Sequence, residues 1–178
     1  MRSMIIALGG KPGSGKSTIA KLLAKKLNFK HYSNGDFMRE IAEQRNISIL
    51  ELSRIAETDP SIDKELDSRQ IMLGKTEDNF VIDSRLGFHF IPNSKKIFID
   101  AKIEIRAERI LSDKQRKENN QDIEKAKQNI IAREKSEIKR YMQYYNLNPY
   151  DKNNFDIAID SSDLTPEEIV NKIINSLS

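Results

Sequence analysis

Gly10-Lys11-Pro12-Gly13-Ser14-Gly15-Lys16-Ser17 is the stretch on which the reading of this chain turns. Its spacing is G-x-x-x-x-G-K-[ST], with every fixed position filled. Before it runs Met4-Ile5-Ile6-Ala7-Leu8, an apolar segment of strand length. After it, Ile19, Leu22, Leu23 and Leu27 recur at helical spacing over 16–27. Glycines between a strand and a helix let successive backbone N–H groups curl toward one anion, and the helix adds the positive end of its dipole. Lys16 is placed to reach β- and γ-phosphates, and Ser17 offers a hydroxyl to Mg²⁺. The plainer reading, a turn that binds nothing, leaves the strand–loop–helix order unexplained. The expected donor-binding set is therefore Gly10, Lys11, Pro12, Gly13, Ser14, Gly15, Lys16, Ser17 and Thr18, around a magnesium-bound nucleoside triphosphate.

Outward from the loop, short apolar runs alternate with longer helical ones, which is the signature of βαβ units on a parallel sheet. Strands are expected at 31–33, 80–83, 96–100 and 156–160, and helices at 36–44 and 103–111. Thr165, Pro166 and Glu168 form a capping box that opens a last helix. Two regions break the rhythm. Residues 36–75 carry consecutive helical segments, with Asp59-Pro60 as a cap-and-start pair. Residues 112–150 are rich in Lys, Asn, Gln and Glu and helical for much of their length. The expectation is one α/β domain over 1–178, a P-loop NTPase three-layer fold with two helical insertions.

Composition narrows the function classes. With 178 residues, 38% hydrophobic and 32% charged, the chain is long enough for one sizeable core under a polar surface. The absence of cysteine excludes disulfides, thiolate metal sites and a cysteine nucleophile, and two histidines, His31 and His89, make a histidine zinc site implausible. A net charge of +3, from 30 Lys+Arg against 27 Asp+Glu, suits phosphate ligands. It argues only weakly for the alternative of a nucleotide-dependent nucleic-acid binder. Five consecutive apolar residues before the glycines are too few for a signal-peptide core, and no run approaches the ~20 of a membrane span. A cytoplasmic protein without membrane or nucleic-acid partners, acting as a monomer on small molecules, is expected.

Phe80-Val81-Ile82-Asp83 is an apolar run ending in a carboxylate, as expected for an acidic residue that assists Ser17 in holding magnesium; a strand-end aspartate that caps a turn fits the same four residues. An enzyme that joins two phosphates must neutralise both, so arginines define the acceptor class. Arg39 opens a helix in Ser33-Asn34-Gly35-Asp36-Phe37-Met38-Arg39, and Arg85 follows Asp83 at the carboxyl edge of a strand, where ligands bind in open α/β sheets. Arg133, Glu137 and Arg140 share one helix face at i, i+4 and i+7, a spacing that on its own better fits a surface ion ladder.

These blocks, with Val81-Ile82-Asp83-Ser84-Arg85, Lys96-Ile97-Phe98-Ile99-Asp100-Ala101, Arg106-Ala107-Glu108-Arg109, Asp156-Ile157-Ala158-Ile159-Asp160-Ser161 and the stretch 56–67, resemble cytidylate kinases over nearly the whole chain. The likeness is greatest to the short, archaeal-type branch. The resemblance implies a five-stranded parallel core, an acceptor-binding insertion at about 36–75, a lid at about 112–150, and transfer from Mg-ATP to CMP, with dCMP as a further acceptor. It implies that Ser33, Gly35, Asp36, Arg39 and Arg85 bind the acceptor, that Arg106 and Arg109 lie near the donor, and that Arg133 and Arg140 descend from the lid with Glu137 at the ribose. Asp63, Asp67, Arg69 and Gln70 are candidates for reading the base. Ser84 departs from the family's usual glycine, a change expected to bear on base selectivity. A shikimate-type kinase, with Asp36 as general base, and an adenylate-type kinase are the alternative enzymes.

Overall fold

A computed structural model describes residues 3–56, 58–113 and 122–177. Five parallel strands form one sheet in the order β2-β3-β1-β4-β5. They are β1 Ile5–Gly10, β2 Lys30–Ser33, β3 Phe80–Asp83, β4 Lys95–Asp100 and β5 Ile157–Asp160. The inner strands explain the continuous apolar runs of the sequence. β1 and β3 are buried along their whole length because helices cover both faces of a parallel sheet. Alternation of side chains then divides each strand between two cores. Ile6 and Leu8 pack with Ile19 and Leu23 of α1 (Lys16–Leu27) and with Ile169, Val170 and Ile173 of the last helix, Pro166–Ser176. Ile5 and Ala7 face Phe37, Ile41, Leu52, Ile62 and Phe80 on the other side.

That second core is supplied by three successive helices: α2 Asn34–Gln44, α3 Ile49–Ala56 and α4 Pro60–Thr76. The region 36–75 is thus helical without a strand, as its sequence implies, and buries Phe37, Ile41, Leu52 and Ile62 beneath it. Asp59 caps α4 by accepting from Ser61 N–H at 2.8 Å. Thr165 and Glu168 form the expected capping box.

Several element ends shift by one or two residues from the sequence expectation, and two differences stand out. β1 continues through both glycines, because Gly9 and Gly10 still pair with Phe98 and Ile99 of β4; a ladder needs only backbone groups. A short helix, α5 (Gly87–Phe90), follows β3 and seats Phe88 against Phe155.

The polar region 112–150 builds α7, Ile123–Tyr145, after α6, Ile103–Ser112; part of it, 114–121, lies outside the described residues. Ala126 and Ile130 of α7 bury against Ala107 and Ile110 of α6 in a small satellite core. The last helix, Pro166–Ser176, is α8. Among the described residues no helix is long and apolar enough to cross a membrane.

Candidate active site

The carboxyl ends of β1, β2 and β3 open into a cleft of about 1030 Å³ walled by α2, α4 and α7. Its floor is the loop 10–17. Curling N–H groups inward forces carbonyls outward, where buried ones need donors. Three arginines supply them. Arg85 donates to the Gly10 carbonyl at 3.2 Å, Arg106 to Pro12 at 3.4 Å and Arg109 to Ser14 at 3.1 Å. The Ser161 hydroxyl adds a second bond to the Ser14 carbonyl at 2.8 Å. Gly13 is required twice over: its φ is +80°, and a Cβ there would lie 2.7 Å from the Arg106 carbonyl.

This geometry separates the two arginines expected near the donor. Arg106, expected near the donor, is buried and does not line the cleft; its guanidinium is consumed by the carbonyls of Ala101 and Pro12 and by Glu134. Arg109 does line the cleft, tied also to the Ser161 carbonyl at 2.7 Å.

At the mouth of the loop, the Lys16 ammonium lies against Asp83. The Ser17 hydroxyl donates to the other Asp83 oxygen at 2.5 Å. Asp83 is 5% exposed. A hydroxyl and a buried carboxylate converging beside a phosphate loop are hard oxygen donors of the kind Mg²⁺ takes, so the residues fit that ion.

Across the cleft, Ser33 caps α2, accepting from Asp36 N–H at 3.1 Å. It also donates to the Asp36 carboxylate at 2.6 Å, and that carboxylate pairs with Arg39. Burial alone would raise the Asp36 pKa, but the Ser33 hydrogen bond and Arg39 outweigh it and hold the group below the usual carboxylate range. The Ser33–Arg39 segment is therefore a capped turn that presents an exposed guanidinium to the cleft, with Gly35 beside it.

The third wall is α7. Glu137 binds Arg85 Nε at 2.7 Å and Arg133 Nε at 3.0 Å, and it accepts from the Tyr150 hydroxyl. The face read as a possible surface ladder is thus turned inward. Burial would push Glu137 up, but Arg85, then Arg133 and the two hydrogen bonds, bring it down to about 2. A carboxyl depressed from 4.5 to about 2 adds stability that is present above pH 4.5 and is lost as pH falls through about 2. The stability gap between wild type and Glu137→Gln, measured by denaturant unfolding, is expected to shrink steadily from pH 5 to pH 2.

Arg140 completes the wall. It donates to the Tyr141 hydroxyl at 3.0 Å and approaches Asp63 at 4.0 Å. Asp63, Asp67 and Gln70 line the cleft from α4. Arg69 does not: it turns away to Glu40, Gln44 and Glu65. Tyr141, Tyr145 and His31 are among the cleft residues that the sequence did not single out. Tyr141 and Tyr145 follow Glu137 at i+4 and i+8, so extending the helical face that holds Arg133 would have found them. His31 had no motif to reveal it; its Nε2 has no hydrogen-bond partner among the described residues, and burial lowers its pKa.

The sequence profile of the cytidylate kinase-like family matches residues 5–163. The chain is 41% identical to a cytidylate kinase of Sulfurisphaera tokodaii, across 97% of this chain and 94% of that one. It is 36% identical to a cytidylate kinase of Methanobrevibacter smithii, across 98% of each. A solved shikimate kinase from Bacteroides thetaiotaomicron superposes with a TM-score of 0.70 over 98% of both chains. At 17% identity that likeness carries the fold alone.

Proposed function

This chain belongs to the cytidylate kinase-like family, and we infer from that membership and from the cleft that it is a kinase moving the γ-phosphoryl group of ATP onto CMP, giving CDP and ADP. The observation that carries the reading is the pairing of a phosphate loop with a second cationic group, Arg39, Arg85, Arg133 and Arg140, in one cleft.

The loop amides and Lys16 hold the donor phosphates, and Arg39 and Arg85 hold the acceptor phosphate facing them. The acceptor oxygen is already ionised at neutral pH, so no general base is needed; alignment and charge stabilisation do the chemistry. Ser17 and Asp83 would hold magnesium, which when bound neutralises charge on the donor phosphates. Arg133 and Arg140, from the region 112–150 acting as a lid, supply further positive charge as the phosphoryl group passes and exclude water that would otherwise accept it. The helices of 36–75 form the acceptor wall of a single domain. Asp36, the base that a shikimate-type reaction would need, is instead committed to Ser33 and Arg39.

A coupled ADP-release assay over AMP, CMP, dCMP, GMP, UMP and shikimate tests the reading. CMP is expected to give the highest kcat/KM; equal or faster turnover of AMP would overturn the assignment. Arg39→Ala is expected to raise the CMP KM about tenfold, as for loss of ~1.4 kcal/mol of binding, with a smaller change in kcat. Unchanged KM and kcat in that variant would remove Arg39 from the acceptor site.

A further inference from the structure

We propose that the buried Ser84 hydroxyl, acting through Gln70, sets which pyrimidine this cleft accepts: it fixes the Gln70 amide so that an N–H faces the cleft beside the Asp67 carboxylate, a pair that fits cytosine and rejects uracil. The proposal rests on the CMP kinase reading above.

Ser84 follows β3 directly, and its backbone N–H donates to the Leu8 carbonyl at 3.1 Å, which holds the residue against β1. The residue is 3% exposed, and its hydroxyl donates to Gln70 Oε1 at 2.5 Å. Gln70 is 1% exposed, and its Nε2 donates to the Leu66 carbonyl at 3.4 Å. A carbonyl can only accept, so the amide's NH₂ end is the one that meets Leu66, and the oxygen is left for Ser84. The NH₂ group has a second hydrogen with no partner among the described residues, on a side chain that lines the cleft.

Asp63, Asp67 and Gln70 stand at i, i+4 and i+7 on α4, so they share the face turned to the cleft. Asp67 accepts from the Tyr145 hydroxyl through Oδ2, which leaves Oδ1 for a ligand. Cytosine carries an amino donor at C4 next to an acceptor at N3, complementary to a carboxylate beside an amide N–H. Uracil reverses both: O4 would meet the carboxylate, and N3–H would meet the N–H. Each mismatch leaves buried polar groups unpaired, the most discriminating arrangement a pocket has.

Ser84 is thus a positioning residue and Gln70 the specificity-determining one. The last torsion of a glutamine is broad and roughly two-fold. Without the Ser84 hydroxyl, only the long 3.4 Å bond to the Leu66 carbonyl holds the amide, a restraint weak enough for it to turn and present its oxygen to uracil N3–H.

The test is the ratio of kcat/KM for CMP over UMP, measured in wild type, Ser84→Ala, Gln70→Leu and the double variant. Both nucleotides are assayed in the same preparation, so any loss of folded protein cancels from the ratio. Each single variant is expected to lower the ratio about tenfold or more. The double variant is expected to match Gln70→Leu alone, because Ser84 acts through Gln70. An unchanged ratio in Ser84→Ala, or single effects that multiply in the double variant, would overturn the proposal while leaving the CMP kinase reading in place. Wild-type protein that turns over AMP as well as CMP would remove that reading and the proposal with it.

Discussion

Lys16→Ala is expected to lower kcat for CMP phosphorylation by about 10³-fold or more while leaving the fold intact. Lys16 begins α1, and its ammonium is already drawn into the cleft by Asp83, so its charge is positioned before substrate arrives. Donors fixed in a water-poor site pay no reorganisation when charge develops, which makes each worth far more than in solution. Stability should change less than turnover. The Asp83 carboxylate keeps the Ser17 hydrogen bond, and a carboxyl stripped of its cation can take up a proton rather than stay charged. Turnover by coupled assay and unfolding by calorimetry separate the two effects. A kcat within tenfold of wild type would place phosphate stabilisation elsewhere in the loop.

Much of this site was legible because its chemistry is local in sequence. Gly10–Ser17 encodes a strand end, a turn and a helix start in eight residues, and Ser33 to Arg39 encodes a cap and its arginine within two turns. Asp83 was ambiguous on its own four residues, and the phosphate loop elsewhere in the sequence tipped it toward the cleft, which it lines. What the sequence concealed depends on which way a side chain leaves its element. Arg106 and Arg109 lie three residues apart on α6, yet only Arg109 reaches the cleft, because Arg106 packs on Gly13 beneath the loop. Arg69 and Gln70 are adjacent on α4 and therefore point apart: one meets α2, the other Ser84. Spacing alone favoured a solvent-facing ladder for Arg133, Glu137 and Arg140, and the family resemblance pointed the other way. The partner that decides it, Arg85, is 52 residues away from Glu137 in sequence.

That partner is also the basis of the second large effect. Arg85→Ala is expected to reduce kcat/KM for CMP by about 10²–10³-fold and to destabilise the protein by roughly 3 kcal/mol. The activity loss follows from removing the guanidinium that lines the cleft between the loop, at the Gly10 carbonyl, and α7, at Glu137. The stability loss has a different origin. Glu137, only 13% exposed in its side chain, would remain in a closed site with Arg133 and Tyr150 but without its main cation. Breaking one side of a buried pair costs more than the pair itself contributes. Adding Glu137→Gln to Arg85→Ala removes the stranded charge, so the double variant should recover most of the lost stability and none of the lost activity. If activity returned together with stability, Arg85 would be a structural strut of the loop and the acceptor phosphate would have to be held by Arg39 and α7 alone. If neither returned, the Glu137 charge would not be what Arg85 neutralises, and the inward-facing ion network on α7 would need another explanation.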